Sequence, residues 1–144
     1  MMIRKAHMGD IDGIVEADNL AKVDAERLRF IKKSLENASA YVATKEEEIV
    51  GYCIFDHSFF CRGFLSLLIV HPDHRRKGIG SMLVRHVEGM CESERLFTST
   101  NQSNKPMQNL LEKMGYKHSG VIDDLDPGDP EVFFSKKVEK PQEG

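Results

Sequence analysis

Cysteine is scarce. Cys53, Cys61 and Cys91 are the only three in 144 residues, odd in number, far apart and without a CxxC pair. That spacing excludes a disulfide framework and a zinc ribbon, and it suits small buried thiols in a reducing compartment. Long apolar runs are missing too. None approaches the roughly eighteen residues that a membrane helix needs, so no membrane partner is expected. The start, MMIRKAHMGD, lacks the apolar stretch of a secretory signal, which predicts a cytoplasmic chain. Nor is there an excess of one charge: the formal net charge of −3 gives no basic field, and composition offers no case for nucleic-acid binding. His71 and His74 form an H-x-x-H pair, but Pro72 breaks helical spacing and no third ligand is evident, so no metal is expected.

What is present is ordinary for a soluble globular protein: 40% hydrophobic and 30% charged residues. The length suits one domain with a sizeable core. It is assigned to residues 1–138, with 139–144 as a polar tail. IRKA (3–6) predicts a strand. Asp10 is a plausible N-cap for a helix carrying Ile11, Ile14, Val15 and Leu20. DAERLRFIKKSLENA (24–38) predicts a second helix, with Asp24 at its start and Leu28, Ile31 and Leu35 on one face.

The period then changes. YVATK and IVGYCIFDHSFF predict two strands around the turn EEE, and Arg62-Gly63 marks a turn before FLSLLIV. FLSLLIV is apolar at nearly every position, which predicts a strand buried on both faces. Ile79, Leu83, Val87 and Met90 predict a helix, and RLFTST a strand parallel to FLSLLIV. NKPMQNLLEKMG predicts another helix, with Pro106 in its first turn and Gly115 ending it. YKHSGVIDDLD and PEVFFSKKV predict two last strands joined at DPGDP.

Chemistry concentrates in HPDHRRKGIGSML, residues 71–83, at the junction of a strand and a helix. A helix N-terminus presents unpaired N–H groups and the positive end of the helix dipole. Anions bind there if the backbone can come close, which calls for glycine. Gly78 and Gly80 clear the approach, and Arg75, Arg76 and Lys77 add positive charge. A Rossmann fingerprint needs a third glycine where Leu83 stands, and a Walker loop needs a GK[ST] that is missing.

VHPDHRRKGIGSMLVRHVE resembles the acetyl-coenzyme A signature of the GNAT superfamily of N-acetyltransferases, [QR]-x-x-G-x-[GA], with Arg75 first and Gly78 and Gly80 as its glycines. NQSNKPMQNLLEKMGY resembles that family's second marker, here Asn104 and Gly115-Tyr116. The order of elements is similar along nearly the whole chain. The resemblance implies an α/β fold: a single domain with a mixed, mostly antiparallel, splayed sheet and helices on both faces. It implies acetyl-coenzyme A as cosubstrate and an amine as acceptor, and it allows a homodimer. The backbone from Arg76 to Ser81, including Lys77 and Ile79, would cradle the pyrophosphate. Leu68, Ile69 and Val70 would pair with the pantetheine arm as an added strand does. Asn104 would hydrogen-bond that arm, or simply cap its helix, or both. Val70 would polarise the thioester carbonyl through its backbone.

One departure matters. Many relatives carry a tyrosine in the helix after the asparagine as the acid that protonates the leaving thiolate, and here that position holds Leu111. Either the thiolate leaves unaided or another group, with Tyr116 the nearest phenol, substitutes. FLSLLIV offers no carboxylate as base. His57, with Asp56, could deprotonate an amine through water, or could merely end a strand. Asp123, Asp124 and Asp126 could attract a cationic amine or form a solvated turn. The alternative functions are an acyl-coenzyme A sensor with little catalysis, and a phosphate or nucleotide binder.

Overall fold

A computed structural model describes residues 1–139; of the predicted tail, all but Glu139 lies outside the described residues. The chain runs β1 (Met2–Lys5), α1 (Ile11–Ala17), α2 (Ala25–Glu36), β2 (Ala40–Lys45), β3 (Glu48–Phe59), β4 (Arg62–Val70), α3 (Ile79–Met90), β5 (Arg95–Asn101), α4 (Lys105–Lys113), β6 (Lys117–Ile122) and β7 (Glu131–Lys137). This is the order expected from the changes of hydrophobic period. The strands form one mixed sheet, β1-β2-β3-β4-β5-β7-β6. Among the registers described, only β4 and β5 are parallel. No helix among the described residues is long and apolar enough to cross a membrane.

Two compact units divide the chain: Met1–Phe55 with Leu67–His86, and Asp56–Ser66 with the chain from Val87 onward. In the first, Ile14, Ile31 and Leu35 pack with Val42, Tyr52 and Ile54. A β-carbon built on Gly51 would instead meet Ile79 and Leu83 of α3. Successive strand residues point to opposite faces, so α1 and α2 cover one face of this unit and α3 the other. Asp24 caps α2 by accepting from the N–H groups of Glu26 and Arg27. In the second unit, β5 pairs with β7 from Arg95↔Lys137 to Asn101↔Glu131, and β7 then pairs with β6. Leu96, Leu111, Val132 and Phe134 are buried there.

Several local expectations change. Asp10 does not cap α1 with its side chain. Its carboxylate takes two hydrogen bonds from Arg4, at 2.8 and 2.9 Å, and one from the His7 N–H at 2.9 Å. The Arg4 guanidinium thereby holds the Asp10 carboxyl down at about 2. Leu20 lies beyond the end of α1 and is exposed, because the helix stops at Ala17. The β3–β4 turn is Phe60-Cys61, both at positive φ, so Arg62-Gly63 already belongs to β4. The residues DDLD lie beyond β6, which ends at Ile122.

The largest correction concerns FLSLLIV. Leu65 is buried, but Ser66 to Val70 are half-buried. The parallel ladder covers only Gly63↔Leu96 to Leu65↔Thr98, although β4 continues to Val70 and β5 to Asn101. At the last rung the Thr98 hydroxyl donates to the Leu65 carbonyl at 2.7 Å. A strand whose ladder ends midway keeps apolar side chains that the sheet does not fully cover.

Candidate functional site

In the first unit the site begins where β4 ends. The His71 N–H donates to the Val50 carbonyl at 2.8 Å, tying the end of β4 to β3. A short 3-10 turn, Pro72–His74, follows, and His71 Nδ1 accepts from the Asp73 N–H at 3.0 Å. The His74 ring folds inward: Nε2 is 3.6 Å from Glu48, and buried Nδ1 has no hydrogen-bond partner among the described residues. His71 and His74 meet edge to face at 5.4 Å. No group of three or more metal-ligating side chains occurs among the described residues.

Beyond His74 the backbone turns twice through the left-handed region, at Arg76 (φ +64°) and Gly78 (φ +80°). Nothing lies within 4 Å of a β-carbon built on Gly78, so that position borders open space. The first α3 hydrogen bond runs from the Met82 N–H to the Gly78 carbonyl at 3.1 Å. The N–H groups of Ile79, Gly80 and Ser81 precede it and fall among those a helix start leaves without helical partners. Arg75, Arg76, Lys77 and Gly78 are exposed, and Gly80 and Ser81 half-buried. A glycine-lined helix start that borders open space beside three cations suits a diphosphate.

A residue that sequence reasoning missed holds this seat in place. The β-carbon absent from Gly51 would stand 3.0 Å from the Ile69 carbonyl oxygen, 3.1 Å from Ile79 Cγ2 and 3.4 Å from Leu83 Cδ1. Any side chain there would push β4 and the first turn of α3 away from β3. The available signal was a glycine inside an apolar strand, which marks close approach of another backbone.

Leu68, Ile69 and Val70 thus share the first unit with Arg75 to Ser81. Asn104, His57 and Tyr116 belong to the second. Asn104 caps α4, its Oδ1 accepting from the Met107 N–H at 3.2 Å, and its side-chain nitrogen has no protein partner among the described residues. His57 Nε2 accepts the Glu92 N–H at 2.9 Å, which commits the lone pair a base would use. Asp56 accepts from the Ser58 N–H at 3.0 Å and the Ser58 hydroxyl at 2.6 Å. Tyr116 is 3% exposed. Its hydroxyl donates to Glu88 Oε2 at 2.7 Å, and Lys136 Nζ reaches the same oxygen at 3.0 Å. Burial, and then the Glu88 carboxylate, push the phenol pKa well up. Leu111 is fully buried.

Comparison with known proteins agrees with this architecture. The profile of the acetyltransferase (GNAT) family matches residues 12–116. A crystal structure of a GNAT-family acetyltransferase from Bacillus cereus superposes with a TM-score of 0.86 at 33% identity, covering 96% of this chain and 98% of that one. An N-alpha-acetyltransferase of Sulfurisphaera tokodaii is 26% identical over 137 residues, 83% of this chain and 82% of its own. The peptidyl-lysine N-acetyltransferase YjaB of Salmonella typhimurium is 32% identical over 104 residues, 70% of this chain and 67% of its own. With a parallel β4–β5 ladder that ends at Leu65↔Thr98, a glycine-lined start to α3 and a family profile spanning most of its length, the chain belongs to the acetyltransferase (GNAT) family and is an N-acetyltransferase.

Proposed function

We propose that the protein transfers the acetyl group of acetyl-coenzyme A directly to a primary amine of a small molecule or peptide, without a covalent acyl-enzyme. The observation that carries this reading is the doubly left-handed turn at Arg76 and Gly78, which opens the first N–H groups of α3 to a diphosphate. Acetyl-coenzyme A supplies a thioester whose carbonyl carbon bonds to the amine nitrogen as the carbon–sulfur bond breaks. The α3 start from Arg76 to Ser81 binds the diphosphate, and Arg75, Arg76 and Lys77 neutralise it. The main chain of Leu68 to Val70 receives the pantetheine arm as a further strand, and the Val70 backbone N–H polarises the acetyl carbonyl. In the second unit, the Asn104 side-chain nitrogen keeps a free donor for a ligand. In this reading neither His57 nor Tyr116 moves a proton. His57 secures the chain after α3, and Tyr116 joins α3 to β7 through Glu88 and Lys136. The proton that the amine nitrogen loses on acylation passes through solvent to the departing thiolate, which needs no phenol, since a thiol with a pKa of about 8.5, by analogy with cysteine, is a competent leaving group.

Turnover is tested by thiol release from acetyl-coenzyme A across a panel of primary amines, with mass spectrometry of the products. N-acetylated product is expected with at least one amine. Coenzyme A near millimolar concentration should also raise the melting temperature; stabilisation of about 2.7 kcal/mol corresponds to a hundredfold excess over Kd. Cofactor binding with no turnover on any amine would leave a binding module, and no stabilisation at all would remove the cofactor assignment.

Tyr116→Phe separates the two roles of the phenol. Removing the hydroxyl leaves Glu88 paired with Lys136, so a loss of about 1 kcal/mol in stability is expected. The kcat should stay within roughly threefold of wild type. A drop of about 100-fold or more, the scale of a lost general acid, would restore Tyr116 as the proton donor.

A further inference from the structure

One face of the second unit is built unlike the other. Register places Phe64, Phe97, Ser99, Phe133 and Glu131 on the same face, because directly opposed residues in a sheet point the same way. The opposite face carries Leu96, Thr98, Val132 and Phe134, all buried. On the first face Phe59, Phe64, Phe97 and Phe133 are only half-buried, and they form a continuous layer of rings. Phe59 lies 4.7 Å from Phe64, 5.5 Å from Phe97 and 5.9 Å from Phe133, and Phe64 is 6.1 Å from Phe133. Phe60, 77% exposed, meets Phe59 edge-on at 5.1 Å and extends the layer outward.

Glu131 stands on the same face as these rings, two residues from Phe133 and opposite Asn101 at the C-terminal end of β5, about 13 Å along the strands from the Phe64 and Phe97 pair. Ligands gather at the carboxyl ends of strands in open sheets. Its neighbours are accounted for. Asp126 accepts from Asn101 Nδ2 at 2.9 Å, and Asp129 accepts from the Ser103 hydroxyl at 2.5 Å and the Ser103 N–H at 3.0 Å. Glu131 has only the Ser99 hydroxyl, at a long 3.4 Å, and no ion pair among the described residues. Burial, then the nearby charges of Asp126 and Asp129, push its pKa up. A half-buried carboxylate with one weak hydrogen bond is unfavourable unless something cationic joins it.

We infer that this face is the acceptor seat, in which Glu131 holds the acceptor's ammonium until a proton passes to solvent and frees the nitrogen lone pair, while an apolar group next to that nitrogen lies on Phe133 and extends toward the ring layer it shares with Phe59 and Phe64. The inference rests on the amine-acetylating reading above and narrows it. The acceptor is a primary amine with an aromatic or aliphatic group close to the nitrogen. A peptide N-terminus with a large apolar first residue and a small arylalkylamine share that chemistry. Polyamines and aminoglycosides do not.

The test measures kcat/KM on the full chain with phenethylamine, a peptide beginning with leucine, a peptide beginning with serine, and spermidine. The first two should exceed the last two by at least tenfold, and the better of them identifies the source of the apolar amine. Glu131→Gln should raise KM for the apolar amine at least about tenfold, the scale of one charge-assisted hydrogen bond. The melting-point rise given by coenzyme A should stay unchanged, which a merely structural role would not guarantee. Equal rates for polar and apolar amines, or an unmoved KM in Glu131→Gln, would overturn the inference. If no amine turns over, the amine-transfer reading fails separately. Titration of phenethylammonium against wild type and Glu131→Gln then tests the face alone, with binding lost in the variant as the expected result and equal or absent binding in both as the overturning one. An oligomer that Phe60→Asp dissociates, with acceptor kinetics unmoved, would mean that a second copy covers the rings, and would also overturn it.

Discussion

Replacing Asp18 with alanine should destabilise the protein by roughly 3–5 kcal/mol, the cost of removing one partner from a buried ionic network. Asp18 is 3% exposed, and four donors converge on its carboxylate. Oδ2 accepts from the Tyr52 hydroxyl at 2.5 Å and from Arg27 at 2.8 Å. Oδ1 accepts from the N–H groups of Leu20 and Ala21, at 3.1 and 3.4 Å. Tyr52 is fully buried, and its phenol pKa is raised by that burial and then by Asp18. Alanine would strand this hydroxyl, a largely buried guanidinium and the Leu20 N–H at once, while the Ala21 N–H keeps the backbone carbonyl of residue 18 at 3.0 Å. For a chain of this length a loss of that size lowers the melting temperature by about 10 °C. Asp18→Asn, which keeps the shape and some of the acceptors, should recover part of it. Urea unfolding of both variants is the measurement, and a loss under about 1 kcal/mol in Asp18→Ala would show that the network adds little. The consequence reaches beyond stability, because Asp18 fixes the connection between α1 and α2 to the sheet.

The second large effect is on the cofactor. Gly78→Val should weaken coenzyme A binding by roughly 100-fold while the protein still folds. A β-branched residue at φ +80° costs about 1–3 kcal/mol of backbone strain. It would relieve that strain by leaving the left-handed region, and the turn that exposes the α3 N–H groups would be lost. The valine side chain itself meets no protein atom within 4 Å at its β-carbon, so core packing is spared. It would project into the space where the diphosphate is proposed to sit. Calorimetric titration with coenzyme A measures the affinity, and thermal unfolding without ligand supplies the control. Equal affinity in variant and wild type would mean that the diphosphate binds elsewhere.

Legibility in the sequence followed the range of the interaction. The turn HRRKGIGS was legible because its requirements are local: glycine at one of its two positive-φ positions, with an arginine at the other, cations beside it, and a helix start a few residues on. The element order was legible because periods of two and 3.6 residues are written in neighbouring positions. Asp24 was a readable cap for the same reason, whereas Asp10 looked like one and was claimed by Arg4, six residues upstream. FLSLLIV was misjudged because its composition cannot show that its ladder with β5 stops at Leu65.

What the sequence by itself determined is therefore the α/β class, the succession of elements and the glycine-rich helix start. The tertiary structure alone decided which distant residues meet. It inserted β7 between β5 and β6, placed Gly51 under Ile79 and joined Tyr116 to Glu88. It also gathered four phenylalanines from four strands, β3, β4, β5 and β7, onto one face with Glu131. The physical reason is that local conformation depends on a residue's own backbone and its near neighbours. Pairing across the sheet is chosen by packing among side chains tens of residues apart, and a single sequence carries no mark of which partner each will find.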